Sequence, residues 1–83
     1  MNQHFGSLII GLAAQANAAL DGQLPPGAAE AGAGNARQLA QALIDTLGAL
    51  EAKTRGNLDA DEAKLLEQAL TALRIRFATA QPQ

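Results

Sequence analysis

The feature that most restricts how this chain can fold is its uncharged N-terminal segment, in which no Asp, Glu, Lys or Arg precedes Asp21. At about 100° per residue, the larger apolar side chains of this segment share one face of a helix over residues 3–20. They are Phe5, Leu8, Ile9, Leu12, Ala16 and Leu20. The opposite face carries small residues at spacings of four, three and four, namely Ser7, Gly11, Ala14 and Ala18. Because such a strip lets another helix approach closely, we expect this helix to be covered on two sides.

The same uncharged segment is the candidate for export or membrane insertion, and Ala14-Gln15-Ala16 bears a faint similarity to a signal-peptidase site. A secretory signal needs a basic residue ahead of its apolar stretch, and none is present. The apolar stretch is also shorter than the roughly 20 residues that span a bilayer. We therefore expect a helix that is retained in the mature protein, and a cytoplasmic location.

A change in composition follows the first helix. Asp21-Gly22 is expected to end it, and residues 21–34 have the Pro and Gly content of a mobile linker, one long enough to permit exchange of helices between subunits. Asn35 is a suitable N-cap for a second helix over residues 35–53. Its apolar face consists of Leu39, Ala40, Leu43, Ile44, Leu47 and Leu50. Because its back is polar, we expect this helix on the outside of any assembly.

The second helix is predicted to end at a tight corner over residues 54–59. Lys53 lies in the last helical turn, where its charge complements the helix dipole. Gly56 can adopt positive φ as the C-terminal cap of an αL or Schellman motif, and Asn57 follows it. The corner should therefore return the chain antiparallel to the second helix.

A third helix is predicted over residues 60–78, followed by a tail at 79–83. Asp59 and Glu62 match a capping box at its start, with Leu58 placed as the hydrophobic staple. The face toward the second helix is predicted to carry Leu66, Ala69, Leu70, Leu73 and Phe77. A second apolar edge carries Leu65, Ala72 and Ile75. The pattern thus predicts one all-α domain, a helix joined by a linker to an α-hairpin, which so short a chain is expected to complete as an oligomeric helical bundle.

Residues 51–77 carry a pattern beyond the helical periods. The chain reads Lys-Thr-Arg-Gly-Asn-Leu at 53–58, then an acidic helix start, a Leu-Leu pair at 65–66 and Leu-Arg-Ile-Arg-Phe at 73–77. This pattern resembles a family of small bacterial proteins known as domain of unknown function 1844. The resemblance covers most of the chain, although it is looser in the first helix and departs in the linker and at Gly48-Ala49. The resemblance implies no established activity.

Candidate residues for chemistry are sparse. No Cys is present and the lone His4 has no ligand partner at suitable spacing, so we expect no metal site and no cofactor. The hydroxyl side chains lack an adjacent base and orienting group, which predicts a non-enzymatic protein. Gly32-Ala33-Gly34 resembles a phosphate-binding loop, but no strand precedes it and Arg37 stands where the third glycine would be. A flexible linker is the favoured interpretation.

The charge balance is six Lys and Arg against eight Asp and Glu, a formal net charge of −2. That balance argues against a nucleic-acid-binding protein, which carries a basic stripe. Four cations lie near predicted helix ends, namely Lys53, Arg55, Arg74 and Arg76. The favoured interpretation is that they cap these ends and pair with Glu51, Asp59 or Glu62. Arg74 and Arg76 are also candidate contacts to a partner.

The sequence therefore predicts a non-enzymatic interaction or scaffold module that self-associates, most simply as a dimer, through its first helix. One alternative is an accessory subunit of a larger assembly, of the ribosome or RNA polymerase type, that uses Arg74, Arg76 and the basic corner as its contact. A second is peripheral membrane association through the first helix, disfavoured because that helix lacks basic residues. Apolar self-association should persist at high salt, whereas a contact with nucleic acid should weaken.

Overall fold

The computed structural model describes residues 1–23 and 36–79, and within them the chain forms three helices and no strand. The helices are α1 (Gln3–Leu20), α2 (Ala36–Thr54) and α3 (Ala60–Thr79). The predicted all-α class is confirmed. Most of the predicted linker, the Gly32-Ala33-Gly34 sequence, the expected N-cap Asn35 and residues 80–83 lie outside the described residues.

Both ends of α1 are capped by residues next to it in sequence. The Asn2 side chain accepts a hydrogen bond from the Phe5 N–H at 3.0 Å, as an N-cap does. At the other end, Gly22 has a φ of 89°, and its N–H donates to the carbonyl of Ala19 at 2.9 Å. The next N–H, that of Gln23, donates to a carbonyl one residue earlier, which completes a Schellman motif. These caps end α1 at Leu20.

The three helices pack with α1 and α3 running in the same direction. At their starts, the Asn2 N–H lies 2.8 Å from Glu62 Oε2, and at their ends Arg76 Nη1 lies 2.8 Å from Asn17 Oδ1. The tight corner between α2 and α3 makes α2 antiparallel to both. A position on α1 is therefore level with the position about 60 residues later on α3.

The core lies between all three helices. Its buried members are Ile9, Ala16 and Ala19 on α1, Ala40, Ile44 and Leu47 on α2, and Leu66, Leu70 and Leu73 on α3. The apolar face of α3 was predicted to meet α2, but in the structure it shares one cluster with α1 as well. Because α1 fills the groove of the hairpin, each helix contributes one face to a single core.

The burial of α1 differs from the prediction at Leu8. Leu8 is 45% exposed, whereas Ile9 is fully buried. The buried face of α1 is centred on Ile9 and Ala16, which lie seven residues apart, and Leu8 is displaced by about 100° from Ile9. The prediction that Leu8 belongs to the core face is therefore wrong, and its side chain adds to the exposed surface of α1.

The corner between α2 and α3 depends on one glycine. Gly56 has a φ of 87°, as predicted. The hydrogen bond that closes the corner runs from the Asn57 N–H to the Thr54 carbonyl at 2.8 Å. This is the bond of a β-turn with its third residue at positive φ, typical of a type II turn, rather than the αL or Schellman pattern that we expected.

Replacing Gly56 tests the corner directly. We expect Gly56→Val to lower the free energy of unfolding by about 1–2 kcal/mol, because a β-branched residue is strained at positive φ. A Cβ at this position would meet no atom within 4 Å, so backbone strain rather than a clash causes the loss. Gly56→Asn is the control and should lose less, since Asn tolerates this conformation. Equal stability of all three proteins in thermal melts would contradict the assignment.

Candidate interaction surface

The start of α3 carries the predicted capping box, extended by a contact to α1. The Glu62 N–H donates to Asp59 Oδ1 at 2.8 Å, and the Asp59 N–H donates to Glu62 Oε1 at 3.0 Å. The second carboxylate oxygen, Glu62 Oε2, accepts the Asn2 N–H at 2.8 Å. One buried carboxylate, 7% exposed, therefore caps its own helix and holds the start of α1. Leu58, the predicted staple, is half-buried and packs against the core.

The same end carries an ion pair between the Met1 ammonium and Asp59 Oδ2, which are 3.1 Å apart. The pKa of Asp59 is lowered, first by the hydrogen bond from the Glu62 backbone and then by the bond from this ammonium. The pKa of the Met1 ammonium is raised by the hydrogen bond to Asp59. Both shifts arise because the folded chain brings the two charged groups together, which stabilises the charged form of each.

These shifts predict a pH dependence. A lowered carboxyl pKa contributes stability above the ordinary value of 3.8, and that contribution is lost as the pH falls through the folded pKa. Asp59→Asn keeps a capping oxygen but removes the charge, so it should melt below the parent at pH 7. The gap between the two melting temperatures should close below the ordinary carboxyl pKa. The difference in melting temperature should also narrow as the pH rises above 8.0 and passes the raised pKa of the Met1 ammonium, because the ammonium then loses its charge. A gap constant from pH 3 to pH 10 would contradict this prediction.

The ends of α1 and α3 are joined by Arg76. Its guanidinium donates to the Asn17 carbonyl at 3.1 Å and to Asn17 Oδ1 at 2.8 Å, and it forms an ion pair with Asp21. Arg76 therefore caps the C-terminus of α1, where backbone carbonyls need donors. We expected Arg76 to pair with Glu51, Asp59 or Glu62, and that prediction is wrong. Those carboxylates lie in the last turns of α2 or near the start of α3, whereas Arg76 lies near the end of α3.

The four cations do not form one patch. Lys53 and Arg55 are exposed at the corner, whereas Arg76 lies sixteen residues into α3, about 24 Å along the helix axis. Arg74 is exposed, and its Nη2 lies 3.3 Å from where a Cβ on Gly48 would be, so the glycine leaves room for the guanidinium.

Arg37 at the start of α2 is a contact that the sequence did not predict. Its guanidinium stacks 3.8 Å from the centroid of the Phe77 ring and donates to the Phe77 carbonyl at 3.3 Å. It therefore closes the end of α3 against the start of α2. A cation next to an aromatic ring can be recognised only once the two helices are paired, because 40 residues separate them.

The predicted small-residue strip lies on the exposed side of α1. Ser7 and Ala14 are exposed, Gly11 and Ala18 are half-buried, and a Cβ on Gly11 would meet no atom within 4 Å. Ile10, which we did not single out from the sequence, is 60% exposed beside this strip. The side of α1 that faces away from the hairpin thus has no Asp, Glu, Lys or Arg, and the exposed side chains of Leu8 and Ile10 flank it on opposite edges.

A second exposed edge, on α3, adjoins that side of α1. Leu65, Ala72 and Arg76 lie along one line of α3, seven and four residues apart, and Arg76 contacts Asn17. Ile10 lies on the same line of α1 as Asn17, seven residues before it. We call the combined surface the α1–α3 face, with Ser7, Ile10, Gly11, Ala14 and Ala18 of α1 and Leu65, Ala72 and Ile75 of α3.

The members of the α1–α3 face differ in exposure. Ile75 is 60% exposed and Ala72 is exposed. Leu65 is half-buried and packs against the core of its own chain, so less of its side chain is available to a partner than we predicted. The exposed apolar area is therefore concentrated at Ile10 and Ile75.

The corner between α2 and α3 also has a surface depression. A depression of about 220 Å³ at the corner has Leu58 and Leu66 in its lining together with Glu51, Arg55 and Glu67. No group of three His, Cys, Asp or Glu side chains in residues 1–23 and 36–79 is placed to hold a metal ion. Over the same residues, no helix has the length and apolar character needed to cross a membrane.

These observations define an all-α protein whose helix α1 is held in an α-hairpin by polar contacts at both ends. The family model described as Domain of unknown function (DUF1844) matches residues 2–79 of the 83. The chain belongs to this family. The family description assigns no activity. Comparison with curated proteins and with solved structures gave no match.

Proposed function

We propose that this protein is a non-enzymatic interaction module that self-associates, most simply as a dimer, through the α1–α3 face. The observation that carries the proposal is the exposed side of α1, which has no Asp, Glu, Lys or Arg while Ile10, a member of the face, is 60% exposed. A surface helix of a monomer is normally polar on its outer side, as α2 is here. The proposal includes the cytoplasmic location expected from the sequence.

A second copy of the chain is the occupant that this surface favours. Two identical sides of α1, neither with an Asp, Glu, Lys or Arg, can meet without repulsion, whereas a charged partner would gain no complementary contact there. Gly11 supports close approach, because a glycine inside a helix costs about 1 kcal/mol relative to Ala and needs a compensating role. The alternative, an accessory subunit that uses Arg74, Arg76 and the corner, is less well supported because these cations form no single patch. Lys53 and Arg55 lie at the corner, whereas Arg76 lies at the other end of α3 and is bound to Asn17 and Asp21.

Bulky substitutions on α1 test the proposal. Gly11→Leu and Ala14→Leu should each weaken the assembly by about 1–3 kcal/mol through overpacking, roughly 5- to 150-fold in the dissociation constant. The folded monomer should tolerate both, since Ala14 is exposed and an added Cβ at Gly11 meets nothing. The matched control is Ala52→Leu, an exposed alanine on the outer side of α2.

Molar mass should be measured by light scattering with refractive-index detection, because a chain without Trp or Tyr absorbs little at 280 nm. We expect a dimer that persists at high salt and is weakened only by the two α1 substitutions. A monomer at micromolar concentration, with all variants unchanged, would reject self-association. Association that disappears as salt rises would instead favour the basic corner, and association that appears only with lipid vesicles would favour the membrane alternative.

A further inference from the structure

We infer that the two copies meet antiparallel, with α1 crossing α1 between Gly11 and Ala14 and α3 lying beside α3. This inference rests on the proposed self-association and assigns its geometry. The spacing of the small-residue strip is symmetric about the midpoint between Gly11 and Ala14. An antiparallel two-fold axis at that midpoint places Ser7 opposite Ala18 of the second copy, and Gly11 opposite its Ala14.

The area required for a stable dimer favours an interface that includes α3. A face of α1 about 27 Å long and 10 Å wide supplies only about 270 Å² per copy, the level of a crystal contact. Adding the neighbouring edge of α3 raises this to about 570 Å² per copy, which clears the roughly 1,000 Å² total expected of a specific interface. Both helices must therefore take part.

Only the antiparallel arrangement brings the two α3 edges together. If the two-fold axis runs along the helices, the two copies are parallel, and their α3 helices lie on opposite sides of the α1 pair. If the axis is perpendicular to the helices, the two copies are antiparallel, and both α3 helices lie on the same side of the α1 pair. Because α1 is level with residues about 60 later on α3, Ala72 lies beside the midpoint of the strip. The exposed Ile10 and Ile75 of each copy then face the second copy instead of water.

The charges at the two ends of the α1–α3 pair also favour opposite directions. Asp59, Asp61 and Glu62 lie at the starts of these helices, where one ammonium and the corner cations Lys53 and Arg55 offset their charge. Arg74 and Arg76 lie at their ends, with Asp21. A parallel dimer would place Arg74 and Arg76 of both copies at the same end, whereas an antiparallel dimer puts them at opposite ends.

Single-cysteine variants distinguish the two arrangements, since the chain has no native Cys. Ser7→Cys and Ala18→Cys would be oxidised with diamide separately and as an equimolar mixture in which one variant carries a tag that changes its mass. Ala72→Cys would be tested alone, and Ala52→Cys on α2 would give the background. A disulfide requires Cα atoms within about 7 Å, whereas two copies of residue 7 would be about 16 Å apart along an antiparallel pair.

We expect a disulfide-linked dimer from the mixture and from Ala72→Cys, at least tenfold above the Ala52→Cys background, and little from Ser7→Cys or Ala18→Cys alone. Self-linked Ser7→Cys and Ala18→Cys would overturn the antiparallel geometry and leave the proposed self-association standing. A dimeric mass with none of these links would show that a different face is used and reject the inference. A monomeric mass would reject both.

Discussion

Glu62→Ala is expected to lower the free energy of unfolding by about 2–4 kcal/mol, because it leaves two backbone N–H groups without their acceptor. The two donors are those of Asp59 and Asn2, at 3.0 and 2.8 Å from the carboxylate oxygens. The side chain is 7% exposed, so water cannot fully replace these bonds. Few surface carboxylates have a comparable effect.

Two further variants test the cause of that loss. Glu62→Gln retains one carbonyl oxygen and places an amide group against the second N–H, so it should lose part of the stability. Glu67→Ala, on an exposed position of the same helix, should change stability by no more than about 0.5 kcal/mol. Urea unfolding measures all three. Equal stability of Glu62→Ala and Glu67→Ala would mean that the contact to α1 contributes nothing.

Adjacent isoleucines on α1 provide the second large effect. Ile9 is fully buried and Ile10 is 60% exposed, so the same substitution meets opposite environments one residue apart. Ile9→Ala should lower the free energy of unfolding by about 2–5 kcal/mol, through lost burial and the cavity that remains. Ile10→Ala should leave the unfolding of the monomer within about 0.5 kcal/mol.

The two variants should also differ in their effect on association. If Ile10 faces a second copy, Ile10→Ala raises the dissociation constant of the dimer while the fold of each chain is retained. Circular dichroism at a concentration below that constant reports the fold, and light scattering above it reports the assembly. A destabilised Ile10→Ala monomer, or a stable Ile9→Ala monomer, would contradict the orientation of α1 in the structure.

The parts of this fold that could be predicted from the sequence depend on near neighbours in the chain. The Asp59–Glu62 capping box joins residues three apart, and Gly56 alone supplies the positive φ of the corner. In both cases a short pattern determines the geometry, because few other residue types can satisfy it. The helical period of α2 likewise locates its core residues, since that helix has one clear apolar face. The predicted stripe of Leu66, Leu70 and Leu73 on α3 is also buried.

The parts that could not be predicted depend on how the helices are arranged. The bond between Glu62 and Asn2 joins residues 60 apart, and Arg76 reaches Asp21 across 55 residues. Neither pair has a spacing that marks it. The exposure of Leu8 was predicted wrongly because α1 has apolar residues around most of its circumference. For such a helix, the direction from which the hairpin approaches decides which side is buried.

The two polar contacts that hold α1 also have a consequence for the order of folding. The corner brings together residues a few positions apart, so the hairpin of α2 and α3 can close with little loss of chain entropy. The acceptor that holds Asn2 is the carboxylate of Glu62, which is held in place only after the first turn of α3 has formed. We therefore expect α1 to dock late, after the barrier to hairpin formation. Until it docks, the apolar faces of α2 and α3 that it covers are open, and a chain at that stage is prone to aggregation.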